Sequence, residues 1–420
     1  MAEKKRKLLL ITEAFPFGFG EPFLIAEFPY LVEEFFVTVV SLDTTSPLEK
    51  EIPSGVSVIR LNVDLSPFGR IKHFFRFLVD GACRLEVKQI VHARKDVLKR
   101  CIQSLNMYSS GMEWFSKLSQ LPEFSEQDII YSYWYNDKII GTALSLRKSK
   151  QRPVLVTRTH GYDLYNERRS SGRQPFKSIA DNYLDHIFFV SRAGYSYYES
   201  TFGFQSSCAY SVARLGTINT FGVKDTPRCD GFLLVSCSNV IPLKRLDLLI
   251  DALALVEFPN AHWVHFGDGE AMEEIVAYAE KKLGQAQYCT YEFLGRVTNE
   301  EIHRYYQTNI VDCFIITSAS EGAPVSIQEA LSYGIPIIGT SVGGIPEMIE
   351  DCGILLSSNP EPVEVYEAIS TLKGKKDTGE IQQLRNLSRQ AWETSFDASN
   401  NFPTFAKTLL SMVTGRRNEQ

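Results

Sequence analysis

No window of this chain approaches 18 consecutive apolar residues, so no segment is expected to cross a membrane as a helix. Cysteine is scattered: none of the eight forms a Cys-x-x-Cys pair, which argues against a disulfide framework or a zinc site and fits buried cytosolic thiols. Positive charge is in deficit, and a formal net charge of −6 argues against a nucleic-acid-binding protein. The basic run from Lys4 to Lys7 precedes only four apolar residues, too few for a signal peptide, so the expected location is cytoplasmic. Low-complexity tracts and short-period repeats are missing. So is a complete dinucleotide fingerprint. Gly267-Asp-Gly-Glu-Ala-Met272 begins as Gly-x-Gly-x-x-Gly does, but Met272 stands at the third glycine, which argues against a nicotinamide dehydrogenase.

What the chain has is an ordinary globular balance, 44% hydrophobic and 22% charged over 420 residues, long enough for two or three domains. Short runs rich in Val, Ile, Leu and Phe recur with helical patterns between them. The first series is Leu8–Thr12, Phe36–Leu42, Val56–Leu61, Asp128–Trp134, Val154–Arg158, His186–Ser191 and Ala209–Ala213. The second is Phe232–Cys237, Trp263–Phe266, Thr290–Leu294, Val311–Thr317, Pro336–Gly339 and Gly353–Leu356. Two such series predict an α/β chain of two doubly wound domains, joined near Leu215–Asp230 where Gly, Thr, Asn and Pro cluster. The expected domains are 1–222 and 223–395, followed by a C-terminal segment 396–420.

The most informative stretch is Val311-Asp-Cys-Phe-Ile-Ile-Thr-Ser-Ala-Ser-Glu-Gly-Ala-Pro-Val-Ser-Ile-Gln-Glu-Ala330. A buried parallel strand is followed by a turn, with Pro324 suited to the first helical position. Glu321 then lies at the strand's carboxyl end, where open parallel sheets bind ligands, and Glu329 lies in the next helix. The pattern resembles the Glu-x7-Glu motif of retaining glycosyltransferases, especially family 4 of the GT-B fold. Four further motifs stand in that family's order: Phe232 to Ala252, His265-Phe-Gly-Asp-Gly-Glu270, Phe293-Leu-Gly-Arg-Val297, and Tyr333 to Thr340 with Gly343-Gly-Ile-Pro-Glu347. The resemblance is close over about 230–370 and loose in the first half. It implies two Rossmann-like domains facing a cleft, the first binding the acceptor and the second the nucleotide sugar. It also implies a last helix, in 396–420, that packs back on the first domain.

By that resemblance, Lys244 contacts the donor diphosphate, Glu321 the donor sugar near its reacting carbon, and Glu329 the ribose hydroxyls. Gly322, Ala323 and Pro324 bring the backbone close to sugar and phosphate. The family's arginine five residues before the lysine is Asn239 here, which brings no charge. Arg245 supplies that charge, or diphosphate binding is weaker, or catalysis is lost. Arg296 falls near the expected base pocket. In the first half, Thr159-His-Gly-Tyr-Asp163 resembles the family's His-Gly-x-Asp segment: His160 faces the donor and Asp163 orients the acceptor. Gly18 and Gly20 stand where the family has a glycine-rich loop near the phosphates, and Tyr135 ends a strand where an aromatic ring can stack on an acceptor. No Asp-x-Asp pair occurs, which fits an enzyme without a metal, lysine and helix N-termini doing the neutralising.

The expected function is transfer of a hexose-type sugar from a UDP- or GDP-sugar to a saccharide or lipid-linked saccharide, with no cofactor and with retention of configuration, in surface polysaccharide assembly. Two rivals remain: an inactive homologue that partners an active glycosyltransferase, and a nucleotide-sugar epimerase or hydrolase on the same scaffold. One segment departs from the acidic balance. Residues 70–100 hold nine Lys/Arg against Asp80, Glu86 and Asp96, with Phe74, Phe75 and Phe77 interleaved. This is either a solvated face of ordinary helices or a peripheral contact with an anionic membrane, at the inner face of the cytoplasmic membrane.

Overall fold

The short apolar runs become parallel strands because each is β-branched or aromatic, bounded by turn residues and long enough to cross one sheet. A computed structural model gives the fold and describes residues 5–418 apart from 19, 22, 49, 64–66 and 220–230. Seven strands form the first sheet: β1 (Arg6–Thr12), β2 (Phe35–Ser41), β3 (Ser57–Arg60), β4 (Ile129–Ser132), β5 (Val154–Thr159), β6 (His186–Phe189) and β7 (Ala209–Val212). Six form the second: β8 (Phe232–Cys237), β9 (Ala261–Phe266), β10 (Cys289–Phe293), β11 (Cys313–Ile316), β12 (Ile337–Thr340) and β13 (Gly353–Leu356). All thirteen expected runs are strands; Asp128–Trp134 and Val311–Thr317 lose their ends to loops.

The strand orders are β3-β2-β1-β4-β5-β6-β7 and β10-β9-β8-β11-β12-β13. In the first sheet Leu8 lies opposite Val37 and Ile129, and in the second Phe314 lies opposite Val235 and Ile337. Strand order therefore reverses between β1 and β4 and between β8 and β11. At such a switch point the two neighbouring loops leave in opposite directions and open a crevice at the strands' carboxyl ends.

The chain divides into two compact units, residues 1–214 with 400–420, and residues 215–399. The expected boundary at 222/223 lies outside the described residues. The C-terminal helix Ala398–Asn418 returns the chain to the first unit, where Phe402, Phe405, Ala406, Leu409 and Val413 are buried. The Phe405 ring lies 5.4 Å from Tyr131 and 5.0 Å from Phe188. The Arg158 guanidinium sits 3.9 Å from the same ring and pairs with Glu27, both side chains fully buried.

Candidate active site

At the β8/β11 switch point the second unit's loops are cross-tied. Ser238 N–H donates to the Phe266 carbonyl (3.0 Å), Val240 N–H to that of Asp268 (3.0 Å), and Ala271 N–H to that of Val240 (3.1 Å). This contact explains the two glycines after β9. A Cβ at Gly267, whose φ is +137°, would lie 1.8 Å from the Ser238 oxygen, and one at Gly269 would lie 2.3 Å from the Val240 oxygen. The glycines thus let two loops touch backbone to backbone, a role unrelated to a dinucleotide fingerprint.

The loop after β8 runs through a short 3-10 turn, Pro242–Lys244, into the helix Leu246–Leu253. Ala319 N–H donates to the Leu243 carbonyl (2.8 Å) and the Thr317 hydroxyl to that of Lys244 (2.9 Å), which binds this loop to the one after β11. Across the junction the Lys244 ammonium and the Glu321 carboxylate form an ion pair, both side chains partly exposed. Arg245 is not free to replace a missing charge beside Lys244. Its Nε donates to the Thr317 carbonyl (2.6 Å), and its Nη atoms to the Ser318 carbonyl (2.9 Å) and Asn359 Oδ1 (3.0 Å). Asn239 is exposed.

Beyond Glu321 the chain closes on a third loop, where Gly344 N–H donates to the Gly322 carbonyl (2.8 Å). Ala323 is half-buried. Pro324 lies one residue before the helix Val325–Ser332 rather than in its first position, with φ −58° and ψ 121°. The first N–H groups of that helix have no intrahelical acceptor and carry its positive dipole end. Glu329 is buried, and burial pushes its carboxyl up to about 7. The Asn299 amide donates to its Oε1 (2.6 Å) and favours the ionised form. Sequence reasoning missed Asn299. The Thr298-x-x-Glu301 capping box marks its helix start, but nothing local says that the side chain reaches Glu329. Arg296 is exposed, one residue after Gly295.

In the first unit, the loop after β1 is organised by a residue the sequence reading passed over. The Glu21 carboxylate is buried and accepts the N–H groups of Glu13 (2.9 Å), Ala14 (3.0 Å) and Phe15 (2.7 Å), and the Trp134 indole N–H (2.6 Å). Glu21 thus takes up the loop's backbone N–H groups at the β1/β4 switch point. Gly18 packs on Ser46, and a Cβ at Gly20 would lie 2.4 Å from that of Ala14. Both glycines therefore serve the loop's own packing.

His160 is buried between Tyr133 and Trp134, with ring centroids 4.7 and 4.6 Å away. Its Nε2 is 3.2 Å from the Tyr133 carbonyl, which only accepts, so that nitrogen carries the proton. Burial holds the ring down at about 4, hence neutral. Asp163 is also buried and accepts the backbone N–H of His160 (2.6 Å) and of Tyr135 (2.6 Å), so it fixes the loop after β5 rather than presenting a free carboxylate. Tyr135 is a correction. It is fully buried, and its hydroxyl donates to Asp181, which also accepts from Tyr198 and Tyr210; it presents no ring for an acceptor to stack on.

Solved structures share this architecture. Sucrose-phosphate synthase from Thermosynechococcus elongatus superposes with a TM-score of 0.69 at 14% identity, covering 98% of this chain and all of that one. The Anabaena Alr3699/HepE structure with UDP and glucose gives 0.65 at 19% identity, covering 97% and 100%. The fold is GT-B. Within this GT-B chain, residues 224–390 match the family model described as glycosyl transferases group 1. Curated relatives also align over part of the chain. One, a subunit of phosphatidylinositol N-acetylglucosaminyltransferase from Arabidopsis thaliana, is 30% identical over 40% of this chain and 36% of its own length. The O-antigen biosynthesis glycosyltransferase WbnH of Escherichia coli is 28% identical over 34% and 39%. The GT-B chain thus spans less than half the length of these two relatives.

Proposed function

We propose that this chain is a retaining glycosyltransferase. It moves a hexose-type sugar from a UDP- or GDP-sugar to a saccharide or lipid-linked saccharide in surface polysaccharide or glycolipid assembly. The observation that carries the reading is the Lys244–Glu321 pair at the β8/β11 switch point, with buried Glu329 in the helix that starts just beyond it. The group 1 match over 224–390 supports the same region as the donor site.

In this reading the diphosphate competes for Lys244 with more charge than a carboxylate carries, and the helix Val325–Ser332 offers it N–H groups and a dipole. Glu321, released from Lys244, accepts hydroxyls of the donor sugar. Gly322, Ala323 and Pro324 keep bulky side chains out of that space. Glu329 accepts the two ribose hydroxyls, and Asn299 holds its carboxylate. Asn239 lies beside the diphosphate, where it brings no charge, and Arg296 near the base pocket; Arg245, spent on carbonyls, holds the two loops in register. His160 and Asp163 act as positioning residues for the loop after β5. As the C1–O bond to the diphosphate breaks, the acceptor oxygen bonds to C1 on the same face and its proton passes to the departing diphosphate. Lysine and helix dipole stabilise that charge without a resident metal.

The test is a thermal shift of wild type and Glu329→Ala against UDP-, GDP-, ADP- and dTDP-sugars, since a ligand of the folded state raises its melting temperature. One nucleotide that stabilises wild type but not the variant supports the reading and names the base. Silence across the panel transfers weight to the inactive partner, for which Asn239 is the sequence argument. The acceptor step is placed at the inner face of the cytoplasmic membrane as part of this proposal.

A further inference from the structure

The charges of residues 70–100 are sorted by side. Asp80 is buried: it caps the helix Gly81–Ala93 through Ala82 N–H (2.9 Å), accepts from the Tyr108 hydroxyl (3.0 Å) and pairs with Arg147 (3.0 Å). Glu86 is fully buried, pairs with Arg173 (2.9 Å) and accepts from Ser104 (3.1 Å). Two of the segment's three acids are thus turned in and neutralised by arginines from outside it. Of its nine Lys/Arg, the Arg70 side chain lies outside the described residues and Arg100 is buried. Seven, from Lys72 to Lys99, remain exposed against the carboxylate of Asp96.

Apolar side chains follow the cations outward. The helix Pro67–Val79 turns His73 and Phe77 inward, His73 Nε2 lying 3.0 Å from Glu113 and the Phe77 ring 5.6 Å from that of Tyr108. The opposite face, at helical spacing, carries Ile71, Phe74, Phe75, Leu78 and Val79, all exposed, with exposed Lys72 and Arg76 beside them. Leu85, Val91, Leu98 and Ile102 project from the next two helices, which pack on this one. Nine of the eighteen exposed large hydrophobic residues among the described residues fall between Ile71 and Ile102. Scattered apolar residues need no partner, but an apolar helix face rimmed by cations does.

We propose that this face docks on an anionic lipid surface, Phe74, Phe75 and Leu78 entering the boundary between headgroups and acyl chains while the cations meet lipid phosphates. A second copy of the chain suits it poorly, because it would set Lys72 and Arg76 at the rim of the face against the same cations of the copy. Nucleic acid matches the charge but leaves the aliphatic side chains exposed to water. The inference deepens the membrane step of the proposed function but needs no donor or acceptor.

The test is co-sedimentation of the full chain with vesicles of phosphatidylcholine, alone or mixed with phosphatidylglycerol. Binding is expected only to the mixed vesicles and is expected to weaken with salt. The variant Lys72→Ala/Arg76→Ala lowers it by on the order of five-fold per cation removed. The variant Phe75→Ser/Leu78→Ser abolishes most of it at unchanged melting temperature, and a tryptophan at Phe75→Trp blue-shifts on mixed vesicles alone. Three outcomes overturn the proposal: no binding to mixed vesicles, equal binding by all variants, or a dimer in solution that Phe75→Ser dissolves. A vesicle failure leaves the nucleotide thermal shift standing, and the reverse also holds.

Discussion

Glu329 is the residue whose chemistry is most exposed to measurement. Its carboxyl is raised from 4.5 to about 7 by burial, so the folded protein binds more protons than the unfolded chain between those values. Stability contributed at this site is therefore lost as pH rises from about 4.5 to about 7. Glu329→Gln should remove that slope and leave the ligand-free protein at least as stable at pH 8. On the proposed reading nucleotide binding runs the other way, because only the carboxylate accepts both ribose hydroxyls. Affinity should rise about ten-fold between pH 6 and 8 in wild type and stay flat in Glu329→Gln, as read by calorimetric titration. Asn299→Ala should shift the wild-type profile to higher pH. On the proposed reading, Lys244→Ala removes a charge-assisted contact to the diphosphate and should weaken nucleotide binding on the order of 10–100-fold with little loss of fold, since the ion pair it breaks is partly exposed.

At the scale of elements, the loops that end β8 and β9 depend on close backbone approach. Gly267→Ala sets a Cβ against a carbonyl oxygen at a φ that L-residues rarely adopt, and should cost about 3 kcal/mol or more in urea unfolding. Gly295→Ala is the control: its φ is +64° but nothing lies within 4 Å of the added carbon, so the loss should be about 1 kcal/mol. The loop after β1 has its own organiser. Glu21→Ala strands three backbone N–H groups and the Trp134 indole, and should red-shift tryptophan emission as the loop opens.

At the scale of the whole molecule, the last helix belongs to the core of the unit in which the chain began. Phe405→Ala removes a ring packed on Tyr131 and Phe188 and uncovers the Arg158–Glu27 pair, at a cost of about 3–5 kcal/mol. In calorimetry one unfolding transition should fall and the other should hold. Truncation before Ala398 should leave the first unit unable to fold.

Much of this was legible in one dimension. Short β-branched runs between turns announce buried parallel strands, because a strand covered on both faces has no polar positions to hide. The spacing of Glu321 and Glu329 is local, and one strand–loop–helix unit carries it intact into the structure, whereas Lys244, 77 positions before Glu321, meets it because β8 and β11 are neighbours in the sheet. What sequence alone left undecided depends on direction and on distant partners. Periodicity tells which side chains share a helix face, not which way the face points. The tertiary structure turned His73 and Phe77 in and Phe75 and Leu78 out. Tyr135 read as a ring at a strand end until Asp181, 46 positions later, took its hydroxyl. Arg245 read as a free cation until the carbonyls of Thr317 and Ser318 closed on it. In each case the deciding partner arrives by chain topology, across a separation over which local sequence carries no force.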